Sequence, residues 1–396
     1  MIDTLIIGIG EYVTGISQDS VATSDKGLGV IALSLFDMRE RKLIKNINLA
    51  GRDAKRFELI REHFSTNLKS AYPTLDASFQ AYPKEGHSNE AYKEALNDLE
   101  KGSAVLIFTP DDRHFQMAKD ALLLGMHVLV AKPLVKTSKE HQELQKIAKE
   151  KNVLLMLEVH KRFDPLYADA VDQIQTFGDF SYMNSYMSQP KAQLDTFASW
   201  AGISSDISYY LNSHHVDLLS WALTNIAQPI SVMATASTGV ADKKLNRPVE
   251  DTITLTVQWK NITSGNLGTS IHTASWIAPP SDVHSQQRFF YMGHQGEINI
   301  DQAHRGYTLS TEANGFKSAN PLFMKYTPRN GKFAGQEGYG YKSISTFIEA
   351  SLALNRDISL LKTFNQTLPT IQNTLNLTKI LEAGRASLDQ QKIIFI

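Results

Sequence analysis

The sequence predicts an α/β chain: a doubly wound parallel sheet first, then an α+β part with a large, mainly antiparallel sheet. Three observations carry this. Short apolar runs alternate with helical stretches through residues 5–157, the pattern of strand–helix–strand units. Beyond that point strand-like segments follow one another directly, split by turns such as Gly293-His294-Gln295-Gly296, as in antiparallel meanders. A chain of 396 residues also exceeds what one core usually serves, so two domains are expected.

The elements follow in order. Leu5-Ile6-Ile7 is a buried-strand run that stops at Gly8. Val30, Leu33, Phe36 and Leu43 fall near helical spacing, and residues 47–50 return to strand. Residues 56–64 read as helix and 79–82 as a weaker strand. The apolar run 104–108 is the clearest strand, and a helix through Met117, Leu122 and Leu124 ends at Gly125. Strand 127–130, a polar-faced helix over 139–151 and a buried strand over 153–157 complete the alternation. In the second half, residues 252–259, 289–291 and 297–300 read as strands. Helices near 207–223, 342–354 and 368–388 are expected to cover one face of their sheet.

Composition narrows the function. Apolar residues make up 42% and charged residues 20%, enough for a large core. The formal net charge of −1 gives no global pull towards nucleic acid or an anionic membrane. There is no cysteine, which excludes disulfides, thiolate metal sites and cysteine nucleophiles. An acid at position 3 and a short apolar run do not read as a signal peptide. No stretch approaches the roughly 20 apolar residues of a membrane span. The expectation is a cytoplasmic protein.

Gly8-Ile9-Gly10 directly follows the first strand. One glycine permits a tight turn and the next lets a phosphate approach the backbone, so Gly8, Ile9, Gly10, Glu11 and Tyr12 are candidate dinucleotide contacts in a Rossmann domain. The usual third glycine is replaced by Val13, and the helical pattern waits until about Gly27. That predicts an insertion over residues 11–26 that folds over the cofactor or a neighbouring subunit. The second strand ends in Leu49-Ala50-Gly51-Arg52-Asp53. An acid at this place suits NAD, whereas Gly51 leaves room and Arg52 suits a 2′-phosphate. The reading is NADP or NAD, leaning to NADP. Arg52 as a surface residue beside a helix-capping Asp53 is the alternative.

Two motifs lie at carboxyl ends of parallel strands, where such sheets bind ligands: Thr109-Pro110-Asp111-Asp112-Arg113-His114 and Ala131-Lys132-Pro133. With them the chain resembles the glucose–fructose oxidoreductase, inositol dehydrogenase and MocA (Gfo/Idh/MocA) family. Thr109, Pro110 and His114 match its Thr-Pro-x-x-x-x-His-like segment, and Lys132-Pro133 matches its Glu-Lys-Pro motif. His160-Lys161-Arg162-Phe163 matches its Asn-x-Arg-Phe-like stretch, and His214-His215-Val216-Asp217 its closing His-x-x-Asp. Residues 293–298 resemble its glycine-bounded strand turn. Ala131 replaces the family's glutamate, and Tyr210 stands where many members carry aspartate, which marks an atypical subfamily.

The resemblance implies hydride transfer between a nicotinamide and a carbinol carbon of a sugar, sugar derivative or cyclitol. It makes Lys132 and His214 the acid–base candidates, and His160, Arg162, Tyr210 and His215 candidate substrate contacts. Thr109, Pro110, His114 and Lys132 join Arg52 and the glycine turn as cofactor contacts. No metal is expected, because adjacent histidines on a helix point about 100° apart. The Rossmann domain is expected to span residues 1–133 and the substrate-binding and oligomerisation domain residues 134–396, with a homodimer or homotetramer as the assembly. Two alternatives are a glycoside hydrolase of the same fold that works through transient oxidation, and a regulator that binds dinucleotide without chemistry.

Overall fold

The computed structural model describes residues 1–17, 20–22, 26–283, 285–305, 308–312, 315–318 and 338–396. In chain order the first strands are β1 (Ile2–Ile7), the short pair β2 (Ile16–Ser17) and β3 (Ser20–Val21), β4 (Ile44–Ala50), β5 (Gln80–Tyr82), β6 (Ala104–Ile107), β7 (His127–Ala131) and β8 (Leu155–Glu158). Six of them form one sheet in the order β5-β4-β1-β6-β7-β8, with every pairing parallel. Helices cover both faces, so these strands lack polar alternation. Leu5, Ile7, Val105, Ile107, Val128 and Val130 fill the core on one side. Ile6, Leu106, Leu129 and Met156 fill the other, as the two-residue strand period requires. The strand order reverses between β1 and β6, which opens a ligand crevice at their carboxyl ends.

Two expectations change here. The boundary at Pro133 stops one strand short, because β8 pairs with β7 from Val128↔Leu155 to Ala131↔Glu158. The parallel sheet therefore runs to Glu158. The helix after the glycine turn also does not wait for Gly27. A single turn, Glu11–Thr14, forms at once, and helix Ile31–Glu40 continues it. The Val30 N–H donates to the Tyr12 carbonyl at 2.9 Å, the bond that residue 16 would make in an uninterrupted α-helix. The intervening chain is thus spliced into a helix. Gly15 (φ +80°) and Gly29 (φ +74°) form its neck, where a Cβ would lie 2.4 Å from the Gly27 carbonyl oxygen and 2.7 Å from that of Val13. Only glycine fits such positions. Residues 18–19 and 23–25 of this insertion lie outside the described residues.

The second sheet uses β9 (Phe180–Pro190), β10 (Ala227–Ser237), β11 (Thr252–Asn261), β12 (Leu267–Ala278), β13 (Gln286–Gly293) and β14 (Glu297–Asp301). After a small hairpin, β15 (Thr308–Thr311) with β16 (Gly315–Ser318), the C-terminal β17 (Ile394–Phe395) adds an edge. The order is β14-β13-β9-β12-β11-β10-β17. β9 and β12 run parallel; the other neighbours are antiparallel. Along β9, Met183, Ser185 and Met187 point inwards, while Tyr182, Asn184 and Tyr186 face out. Helix Leu375–Gln390 lies against the inner face, where Ser387 Oγ accepts from the Ala234 N–H at 3.0 Å. Helix Tyr339–Leu354 does not cover this sheet as expected. Its Tyr341, Ile344, Phe347 and Ile348 pack into the core of the parallel domain with Leu35 and Phe36. An apolar stripe predicts burial but not the surface that buries it. Among the described residues no helix is long and apolar enough to cross a membrane.

Candidate active site

The glycine turn is shaped for close approach. Gly8 has φ +110°, and a Cβ there would sit 2.1 Å from the Phe108 carbonyl oxygen. A Cβ on Gly10 would meet nothing within 4 Å, so the backbone beside it is open to a bulky anion. Glu11 and Tyr12 follow in the first helical turn, with the Tyr12 ring 5.7 Å from that of Phe108. Ile9 differs from its neighbours, because its side chain is buried against Gly51, where a Cβ would lie 2.5 Å from Ile9 Cδ1. It offers backbone only. Next to Gly51, Arg52 is exposed, and Asp53 is turned away to accept from the Lys55 N–H at 3.0 Å. These residues fit a dinucleotide: a glycine-lined approach for its pyrophosphate and an unobstructed guanidinium where the adenosine ribose would end.

Lys132 emerges from the carboxyl end of β7, before a cis peptide to Pro133. Its Nζ donates to the Tyr210 carbonyl and lies 3.9 Å from the Tyr210 ring centroid. Tyr210 belongs to a widened π-helical turn, Ser208–Asn212, immediately before helix Ser213–Ala222. Such turns misalign the carbonyl ladder and recur at functional sites. Burial lowers the Lys132 amine to about 7, against the opposing pull of Asp111 and Glu158, while Lys26 adds to the depression. Desolvation disfavours the charged form, and here it outweighs two carboxylates.

His214 sits on the first turn of that helix, buried, with no partner for Nδ1 among the described residues. Burial, then Lys132, His160 and Lys161, push its pKa well below the usual histidine range, so the ring is neutral. The His160 ring lies 5.0 Å from it and 5.7 Å from Tyr339. His160 Nδ1 lies 3.2 Å from Glu158 Oε1. Gln189, from the end of β9, donates to the Tyr210 hydroxyl at 3.4 Å. Lys132, His160 and the Tyr210–His214 segment therefore converge from three separate stretches of chain.

Other candidates go elsewhere. Arg162 is clamped by Asp217, with Nε and Nη2 donating to the two carboxylate oxygens at 2.8 and 2.7 Å; its role is to join two elements rather than to meet substrate. His215 points into the core, its Nε2 3.1 Å from the Tyr167 hydroxyl and its ring against Phe289. A residue next to His214 on a helix must face another way. His114 is fully buried, its nitrogens 2.8 Å from the Pro133 carbonyl and 2.9 Å from that of Thr109. It braces the two motif loops and cannot reach a cofactor. Thr109 is half-buried and Pro110 exposed at the crevice.

Sequence reasoning missed Glu158, Asp111 and Lys161. Asp111 stood inside a recognised motif, and burial raises its pKa. Glu158 was legible only as an acid ending an apolar strand two residues before a histidine. Lys161 is buried, its Nζ donating to Gln287 and Gln302. Gln302 in turn donates to Asp164 at 3.0 Å and to the Tyr339 hydroxyl at 2.6 Å. This network forms a rigid polar floor, and burial lowers the Lys161 amine to about 7.

Residues 4–159 match the model of the Gfo/Idh/MocA oxidoreductase family, with its NAD-binding Rossmann fold. An uncharacterized oxidoreductase of Escherichia coli, YdgJ, is 29% identical over 192 residues, 46% of this chain and 50% of that protein. The chain thus spans about half the length of that relative. The scyllo-inositol 2-dehydrogenase (NADP(+)) IolW of Bacillus subtilis is 24% identical over 300 residues, 74% of this chain and 78% of its own. Among solved structures, scyllo-inositol dehydrogenase from Lactobacillus casei with bound NAD(H) and scyllo-inositol superposes with a TM-score of 0.63, 16% identity, and coverage of 100% and 98%. The myo-inositol 2-dehydrogenase of Lactobacillus plantarum gives 0.65, with 17% identity and coverage of 100% and 99%. At these identities the likeness is one of fold. The family match thus covers residues 4–159, the part of the chain that carries the glycine turn and Lys132-Pro133 on one parallel sheet.

Proposed function

We propose that this chain is an NAD(P)-dependent dehydrogenase or reductase that interconverts a carbinol and a carbonyl on a sugar, sugar derivative or cyclitol. The observation that carries the reading is the Lys132 amine. It is held by the Tyr210 carbonyl at the crevice of a dinucleotide-binding sheet, with a pKa brought to about 7 beside a neutral His214. A general base works best when its pKa lies near the working pH.

The glycine turn, with Thr109 and Pro110 across the crevice, holds the dinucleotide. A bound nicotinamide supplies the acceptor or donor of hydride. In the oxidative direction the neutral Lys132 amine takes the hydroxyl proton. Neutral His214 hydrogen-bonds the same oxygen and keeps it aimed at Nζ. Tyr210 acts through its carbonyl, which fixes the amine, and through its ring, which walls the pocket with Phe197 and Trp200. NADP is the favoured cofactor, on the exposed Arg52 and the absence of an acid at Gly51. The outward face of β9, with Tyr182 and Tyr186, favours a homo-oligomer.

The test uses the purified full chain. Fluorescence titration with NADPH and NADH is paired with an oxidation panel of sugars, sugar acids and cyclitols. Turnover of at least one panel compound is expected. Lys132→Met should nearly abolish it while leaving dinucleotide affinity almost unchanged. Full activity in Lys132→Met removes the mechanism; binding of dinucleotide with no turnover across the panel removes the enzyme.

A further inference from the structure

Ala131 and Glu158 are register partners on the parallel strands β7 and β8. Partners in neighbouring strands project to the same side of the sheet. The small Ala131 side chain therefore leaves the space next to Lys132 to the Glu158 carboxylate, which is itself buried. Two residues on, His160 turns back in the short helical turn His160–Phe163 and presents Nδ1 to both carboxylate oxygens, at 3.2 and 3.4 Å. A carboxylate only accepts hydrogen bonds. The Nδ1 of a neutral His160 must then carry the proton, and Nε2 is left as an acceptor. No protein group bonds Nε2 among the described residues, and the side chain keeps 12% exposure. Its ring is wedged between His214 and Tyr339, so it has little freedom to turn.

We infer that Glu158 is a positioning residue that locks His160 in the Nδ1–H form, and that His160 Nε2 accepts a hydrogen bond from a second hydroxyl on the carbon next to the one oxidised. The inference rests on the dehydrogenase reading above. Two imidazole rings with centroids 5.0 Å apart present one contact to each of two neighbouring oxygens: His214, beside Lys132, to the reacting one, and His160 to the other. The remaining charged groups nearby are already engaged. Arg162 is bound to Asp217, Asp164 to Arg305, and Lys161 to its two glutamines. None of them competes for Nε2. A site built to bond a hydroxyl rejects an analogue that lacks it, because its polar atom is left unpaired.

The experiment has two arms on the full chain. In the first, nitrogen-15 NMR of histidine-labelled, cofactor-free protein reads the His160 tautomer, assigned by its loss in His160→Gln. The Nδ1–H form is expected in the unmodified protein and in Glu158→Asp, and a tautomer mixture in Glu158→Gln. In the second, kcat/KM is measured for the best panel substrate and for its analogue lacking the neighbouring hydroxyl. The unmodified protein should prefer the diol by about 10²-fold. Glu158→Gln and His160→Phe should each lower that preference about tenfold or more, Glu158→Asp should largely keep it, and Lys132→Met should slow both compounds alike. An Nε2–H tautomer in the unmodified protein, or an unchanged preference in the Glu158 and His160 variants of an active enzyme, overturns this inference and leaves the dehydrogenase reading standing. No turnover of any panel compound by the unmodified protein removes both.

Discussion

Asp217→Ala should destabilise the protein strongly and disturb the site without touching the substrate. Asp217 meets Arg162 through two charge-assisted hydrogen bonds, at 2.7 and 2.8 Å, with side-chain exposures of 1% and 6%. Truncating the carboxylate leaves a guanidinium that cannot lose its charge in a dry pocket, against the Trp221 ring. Removing one partner of such a pair costs about 3–5 kcal/mol. The remaining bond to Asn373, at 3.4 Å, is too long to offset much of it. At about 2–4 °C per kcal/mol for domains of 150–250 residues, and less for larger ones, the midpoint should fall by about 5–15 °C. Arg162 lies two residues after His160, and Asp217 three after His214, so the bridge also sets the distance between the two imidazoles. Turnover should fall while dinucleotide affinity holds. The assay is thermal unfolding followed by tryptophan fluorescence and circular dichroism, with steady-state kinetics on the same samples. Arg162→Met with Asp217→Leu leaves no orphan charge and should recover at least half of the lost stability. A midpoint within about 1 °C of the unmodified protein for Asp217→Ala, or a change confined to KM, would refute the argument and return Arg162 to the substrate.

Oxidation should speed up as pH rises through about 7, because the depressed Lys132 amine is protonated and inactive below that value and neutral above it. Lys132→Met should erase this limb and cut the rate by about 10²–10⁴; a flat profile in the unmodified enzyme speaks against Lys132 as the base. NADPH should bind more tightly than NADH, and Arg52→Ala should remove most of the difference; equal affinities in the unmodified protein sink that preference. Deleting residues 16–29 should leave a folded protein, because Val30 already makes the hydrogen bond of residue 16. Circular dichroism and thermal melts check it, and an unfolded product disproves the splice.

Much of this protein is local, and what is local can be read from the chain. The parallel strands declare themselves because burial on both faces leaves runs such as Val105-Leu106-Ile107 without a polar residue. Gly8 stands out because its positive φ and the Phe108 carbonyl beside it admit almost nothing else, and Gly10 because it leaves the backbone next to it open. Lys132 is marked by its place at a strand end, a property of sequence order alone. The insertion was visible as a delay in helical periodicity. Its neck was not, since Gly15 meets Gly27 and Gly29 only once the chain has returned to itself.

Partnership is what sequence order does not contain. His114, His160, His214 and His215 are chemically alike in the chain, yet two of them enter the core and two face the crevice. The difference is made by what each meets: the Pro133 and Thr109 carbonyls for His114, Glu158 for His160, Tyr167 for His215, and for His214 no partner at Nδ1 among the described residues. Arg162 and Asp217 are 55 positions apart, and nothing in either motif tells that they bind one another. The helix Tyr339–Leu354 returns to the first domain by the fit of Ile344 and Phe347 against its core, a match of shapes rather than of pattern. Spacing along the chain determined the sheet, the glycine turn and the lysine. Only the folded structure decided which charges are neutralised and which imidazoles stay open, because desolvation and hydrogen bonding depend on neighbours that lie far off in sequence.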